Sequence, residues 1–232
     1  TRRSSDLKDA KNKEAFSPYI LASRFATYTP FFNLNYFALA AKEHQRLLSI
    51  ANTVPYFQLS VRDTGIDTYV LIVGESVRVD NMSLYGYTHS TTPQVEAQRK
   101  QIKLFNQAIS GAPYTALSVP LSLTADSVLS HDIHNYPDNI INMANQAGFQ
   151  TFWLSSQSAF RQNGTAVTSI AMRAMETVYV RGFDELLLPH LSQALQQKTQ
   201  QKKLIVLHLN GSHEPACSAY PQSRDRKSTR LN

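Results

Sequence analysis

Cysteine is nearly absent: Cys217 is the only one in 232 residues, so no internal disulfide can form. The thiol is either reduced or half of a bridge whose partner lies outside these residues. No run of 18 apolar residues occurs, which excludes a membrane-spanning helix among them. Neither an initiator methionine nor a signal peptide opens the chain. There is no internal repeat, and no GxSxG elbow surrounds Ser118, the serine that precedes Val119-Pro120. An adjacent Asp-His pair is also missing; His131-Asp132 has the reverse order.

Acidic residues are the minority, and the net charge of +6 with a pI near 9.4 would ordinarily suggest a nucleic-acid partner. Much of that excess sits at the ends. Thr1–Leu7 (TRRSSDL) and Asp225–Asn232 (DRKSTRLN) read like the translated ends of a pair of sequencing adapters. They are therefore set apart from the fold as scars. They contribute +1 and +2, leaving +3 for residues 8–224. No basic stripe with interleaved aromatics appears there, so no nucleic-acid binding is expected.

What is present begins with Tyr69–Tyr87, YVLIVGESVRVDNMSLYGY. The apolar, β-branched run Tyr69–Gly74 reads as a buried strand of a parallel sheet. Glu75 follows at once, where open α/β sheets place their ligands, although a loop glutamate following a strand is an equal reading. Forty residues on, Ser110–Pro120 reads SGAPYTALSVP. Thr115 opens a helix there, with its hydroxyl at an N-terminus that favours an incoming anion.

The rest alternates between the two periods. Lys8–Glu14 is charged and structureless by composition, and Phe16–Phe57 is rich in aromatics. Within it, Asn33 or Asn35 caps a helix to about Ala51, with Phe37, Ala40, Ala41, Leu47, Leu48 and Ala51 on one side. Such a helix suits either a membrane interface or a protein core. Further helices are expected from Thr91-Thr92-Pro93 to Gln101, over Asp138–Ala147, Thr165–Met175, and from Asp184 to about Gln200. Strands are expected at Lys103–Ile109, Gln150–Ser155, Val178–Val180 and Leu204–Leu209, with Asn210–His213 at the C-terminal end of the last. Alternating strands and helices predict a three-layer α/β sandwich with a mostly parallel sheet.

Three ordered segments, GESVRVDNMSLYGY, TALSVP and HLNGSH, resemble those of the phosphoethanolamine transferases of the bacterial cell envelope, in the sulfatase branch of the alkaline-phosphatase superfamily. The resemblance spans roughly Ser60–Pro221 and looks nearest to the branch that modifies periplasmic glucans. It implies an alkaline-phosphatase/sulfatase-like fold, C-terminally truncated. Residues 8–59 would be a membrane-proximal linker and amphipathic helix, tilted toward the interface. Residues 60–224 would be the N-terminal part of the catalytic domain. The membrane helices that precede this domain in the family are absent here.

By the same resemblance Glu75 and Thr115 are zinc ligands, and Thr115 is the nucleophile. Metal coordination is one way to strip a threonine hydroxyl of its proton near neutral pH. His213 matches a histidine that contacts the phosphate or an additional metal; a loop histidine merely capping the strand is the plainer reading. The implied reaction is ping-pong transfer of phosphoethanolamine from phosphatidylethanolamine to a glycan or lipid acceptor, in the periplasm, by an enzyme of the inner membrane. The family completes its zinc site with an Asp-His pair, which this chain lacks. Since catalytic zinc normally takes three protein ligands, the chain is expected to bind zinc weakly and to be inactive alone. A hydrolase of the same superfamily and a non-catalytic envelope-binding domain are the alternatives. Of the remaining candidates, His131 and His134 are read as solvated and Lys103 as a surface charge. Arg78 and Asp80 are read as organisers of the loop after Glu75, and Ser155, Ser156 and Gln157 as pocket-lining residues.

Overall fold

Thr68–Val73 (TYVLIV), β-branched and aromatic, forms strand β1 in the computed structural model of the chain. The structure describes residues 34–221, apart from 36, 40, 43, 44, 47, 48, 51, 61, 63, 158–165, 212 and 214–220. Thr1–Leu7, Lys8–Glu14, Cys217 and Asp225–Asn232 thus lie outside the described residues. The chain divides into two units, Thr1–Arg46 and Leu47–Asn232. In the first, the described residues from 34 onward are helical, and Leu34, Phe37 and Leu39 are exposed.

The second unit carries the sheet. Gln150–Ser155 form β2, Glu176–Tyr179 β3 and Lys203–His208 β4. All pairings are parallel and the order is β1-β4-β2-β3. Helices α1 (Pro93–Glu96), α2 (Thr115–Leu123), α3 (Ile140–Gln146), α4 (Ala166–Ala171) and α5 (Leu188–Gln196) supply the crossovers. Alternate strand residues face opposite layers. Trp153, Leu204 and Val206 pack with Val119 and Leu123 of α2, Ile141 of α3 and Ile170 of α4. Phe152, Leu154, Ile205 and Leu207 pack on the other face with Leu187 and Ala194. These are the three layers expected from the alternation of strands and helices.

Side chains close the helix ends. The Asn139 side-chain Oδ1 accepts from the Asn142 N–H at 2.9 Å and caps α3. At the other end of the fold Lys203, 6% exposed, donates its ammonium to the carbonyls of Ala194 (2.9 Å), Leu195 (3.0 Å) and Gln197 (2.6 Å). A cation there satisfies carbonyls left without N–H partners and complements the helix dipole.

Four expectations need correction. Lys103–Ile109 is not a strand: among the described residues no neighbouring strand meets its backbone, and Phe105 and Ile109 are 65% and 92% exposed. Within it the Lys103 ammonium lies 5.8 Å from the Phe105 ring centroid. The helix expected through Gln101 stops at Glu96 and resumes as a 3-10 turn, Arg99–Gln101. The third strand begins at Glu176, earlier than its apolar residues suggested, because it follows the register of β2. The last helix starts as a 3-10 turn, Asp184–Leu187, which leaves the Asp184 side chain facing the sheet end.

Candidate functional site

Parallel register brings the strand ends level: Val73 pairs with His208, and Ser155 pairs with His208 from the other side. Residues just beyond those ends therefore share one edge of the sheet, where open α/β folds bind ligands. Glu75 stands beyond β1, Gln157 beyond β2, Asn210 and Gly211 beyond β4, and Thr115 opens α2.

Glu75 is the hub. Its Oε2 accepts from the Thr115 hydroxyl and from Gln157 Nε2 at 3.1 Å, and its Oε1 accepts from the Ser76 hydroxyl at 3.0 Å. Burial pushes the Glu75 carboxyl up, but donors on Thr115, Ser76 and Gln157 and the charge of His213 outweigh it. The net effect holds the group below its ordinary value, so it is a carboxylate at neutral pH. The backbone here is unusual. Ser76 is the one non-glycine with positive φ among the described residues, at 55°. That conformation costs on the order of 1 kcal/mol and is typically kept where a site needs it. No side chain caps the N-terminus of α2, which leaves first-turn N–H groups beside Thr115 for an anion.

A second carboxylate fixes the loop after β4. Asp184 Oδ1 accepts from the Asn210 N–H at 2.8 Å and the Ser156 hydroxyl at 2.5 Å, and Oδ2 accepts from the Gly211 N–H at 3.0 Å. Gly211 has φ +50, and a Cβ on it would lie 2.6 Å from the Glu75 carbonyl oxygen. Only glycine fits that approach. Gln157 Nε2 ties the same loop by donating to the Leu209 carbonyl at 2.8 Å. His213 follows through a turn in which its N–H donates to the Asn210 carbonyl at 3.1 Å, and the residue is exposed.

Beneath these groups lies His208, 2% exposed. Its Nδ1 is 3.4 Å from Ser155 Oγ, and its ring meets Trp153 edge-on at 5.6 Å. Its Nε2 and the Trp153 Nε1 are buried and have no hydrogen-bond partner among the described residues. Burial pushes the imidazole down to about 4, against the opposing pull of Glu75 and Asp184, so it is neutral at pH 7.

Of the sequence candidates, Glu75 and Thr115 meet directly, and His213 is close enough for its charge to act on Glu75. Ser156 and Gln157 join the network, while Ser155 is buried beneath it. Arg78 and Asp80 form an exposed ion pair at 3.3 Å in the loop after Glu75. Ser118 lies one turn inside α2. His131 and His134 are not simply solvated. His131 Nδ1 is 2.5 Å from the buried Asp126 carboxylate, and His134 Nδ1 is 2.7 Å from Asp132. Asp184 and His208 escaped sequence reasoning. The polar end of an otherwise apolar strand was the available signal for His208.

Zinc fits this site in part. The Glu75 carboxylate and the hydrogen-bonded Thr115 hydroxyl offer two oxygens of the four ligands that a tetrahedral zinc site takes. Among the described residues no group of three or more His, Cys, Asp or Glu gathers as a metal set.

Comparison with known proteins follows the same residues. Positions 67–231 match the family described as Sulfatase, and 5–51 match the transferase YhbX N-terminal domain. YhbX of Escherichia coli (strain K12) is 99% identical over 216 residues, covering 93% of this chain and 40% of that protein. Phosphoethanolamine transferase OpgE of the same organism is 32% identical, over 76% of this chain and 34% of that one. Among solved structures, the periplasmic domain of EcEptC from Escherichia coli, in complex with Zn, superposes with a TM-score of 0.61 at 28% identity. That match covers 72% of this chain and 50% of the other. The integral membrane protein lipooligosaccharide phosphoethanolamine transferase A from Neisseria meningitidis gives 0.63 at 25% identity, over 88% and 42%. The chain spans about two fifths or less of the length of these curated relatives.

Proposed function

The chain belongs to the sulfatase family, alongside the phosphoethanolamine transferases, and we propose that the whole protein moves phosphoethanolamine from phosphatidylethanolamine to a cell-envelope glycan or lipid. The observation that supports this most is the direct contact between the Thr115 hydroxyl and Glu75 Oε2 at the uncapped start of α2. In this reading Thr115 Oγ1 attacks the phosphorus, the bond to diacylglycerol breaks, and the group rests on threonine until an acceptor hydroxyl displaces it.

Each neighbour has a part. Glu75 remains ionised because three donors hold it, so Oε2 can accept the hydroxyl proton of Thr115. Gln157 keeps that oxygen aimed at Thr115. The first-turn N–H groups of α2 face the phosphoryl oxygens, and His213 adds a donor or a positive charge from the loop beyond β4. Zinc, held by Glu75, Thr115 and ligands beyond those described, supplies Lewis acidity and charge neutralisation when bound. The donor lipid and the name of the EcEptC domain agree with a site on the periplasmic face of the inner membrane. No helix among the described residues is long and apolar enough to cross a membrane.

The test is mass spectrometry of the whole protein incubated with phosphatidylethanolamine. Phosphoethanolamine is expected on the Thr115 peptide and absent from Thr115→Ala. Label released to water without an acceptor would instead favour a hydrolase, the activity that the sulfatase match also admits.

A further inference from the structure

We infer that Asp184 is a positioning residue of this reaction: its carboxylate fixes the Asn210–His213 loop against Glu75 and so sets where His213 stands. The inference rests on the transfer reading above.

Three donors converge on this one side chain. The Asn210 and Gly211 N–H groups, consecutive along the backbone, donate to separate oxygens at 2.8 and 3.0 Å. The Ser156 hydroxyl donates to Oδ1 at 2.5 Å, and the Asn210 N–H also reaches the Ser156 oxygen at 2.9 Å. Successive backbone N–H groups around an anion form a nest, a geometry whose strength depends on negative charge at its centre. Asp184 thereby joins the ends of β2 and β4 from outside the sheet.

The gripped peptide is the one that touches Glu75. Gly211 approaches the Glu75 backbone so closely that no Cβ fits, so any drift of the loop changes that contact. His213 stands two residues on, tied by its N–H to the Asn210 carbonyl at 3.1 Å. A short series of direct contacts therefore runs from Asp184 to Asn210 and Gly211, then to Glu75 on one side and His213 on the other. Asp184 touches neither Thr115 nor Glu75 through any described hydrogen bond, so its influence acts through the loop.

Amide hydrogen exchange and turnover, measured on the whole protein, test this. Asp184→Asn keeps the shape but turns an amide NH₂ toward one backbone donor. Exchange at 210 and 211 should rise about tenfold or more, while β4 amides at 204–207 stay within about twofold. Transfer from labelled phosphatidylethanolamine should fall roughly 10–100-fold, the usual loss for an outer-shell positioning group. Ser156→Ala, which removes one donor and leaves Asp184 in place, should give the same pattern at smaller amplitude. It keeps the inference testable if Asp184→Asn does not fold. Unchanged exchange at 210–211 overturns the inference. So does a rise spread equally over β4, which would make Asp184 a fold support, or unchanged turnover despite a freed loop. If the unaltered protein transfers nothing, the transfer reading has failed, and the exchange pattern alone decides whether Asp184 anchors the loop.

Discussion

Strands β1 and β4 are both six residues long, both apolar, and bonded to each other residue for residue, yet they live in different surroundings. Every residue of β4 is buried, whereas Val70 and Ile72 of β1 are 44% and 61% exposed. Among the described residues β4 has neighbours on both sides, and β1 has one only on the side of β4. Beside β1 an apolar cavity of about 490 Å³ opens between Tyr69, Leu71, Met143, Phe149 and Leu204. The lesson is that composition sets strand character, while position in the sheet sets what a side chain is worth. It holds at the functional edge too: β1 leads to a half-exposed carboxylate, and β4 ends on a sealed imidazole.

The in-register pair Val70 and Ile205 breaks or upholds this contrast most sharply. Ile205→Ala, at a site with no exposure, should lower stability by about 2–5 kcal/mol in chemical denaturation, and Val70→Ala by less than about 1 kcal/mol. Equal losses would mean that β1 is buried in solution. The next pair in size is Val73 and His208, where acid is the probe. The His208 imidazole is held down at about 4, below its unfolded value near 6.5, so the unfolded state binds the extra proton. Stability is complete above 6.5 and should fall by roughly 3 kcal/mol as pH drops through that window to about 4. Glu75, also held low, loses its contribution only as pH falls below the ordinary carboxylate range, so the two ends separate on the pH axis. His208→Gln should flatten the upper window and leave the lower one.

The smallest effect is expected at the other end of the strands, where Lys203 pairs with Thr68. Lys203→Met should cost about 1–3 kcal/mol by stranding three carbonyls at the end of α5, whereas Thr68→Val, half-buried on the edge strand, should change melting little. Similar losses at both would show that the contrast between the strands stops short of their first residues.

Much of this was legible in the chain itself. The apolar runs that became β1, β2 and β4 announced themselves, as did Glu75, Thr115 and His213 through their motifs. What could not be read depends on pairing between distant segments. Lys103–Ile109 has strand composition, but a strand exists only if a neighbour accepts its backbone, and among the described residues none does. Asp184 was named only as the position where a helix begins, because its partners lie in the loop beyond β4. Gln157 was placed at a strand end, but its hold on Glu75 follows from β4 lying between β1 and β2. His208 read as one residue inside a strand expected over Leu204–Leu209, until both faces of that strand proved covered.

Trp153 is the chain's single tryptophan, wholly buried, with its ring edge-on to His208. All indole fluorescence of these 232 residues therefore originates from one point beneath the Glu75 edge. A neutral imidazole leaves an excited indole bright, and a protonated one quenches it by accepting an electron. Emission intensity thus reports the charge of His208 without any label, and emission wavelength reports whether water has entered the floor of the site. The molecule comes with its own optical gauge, placed where the two central strands end.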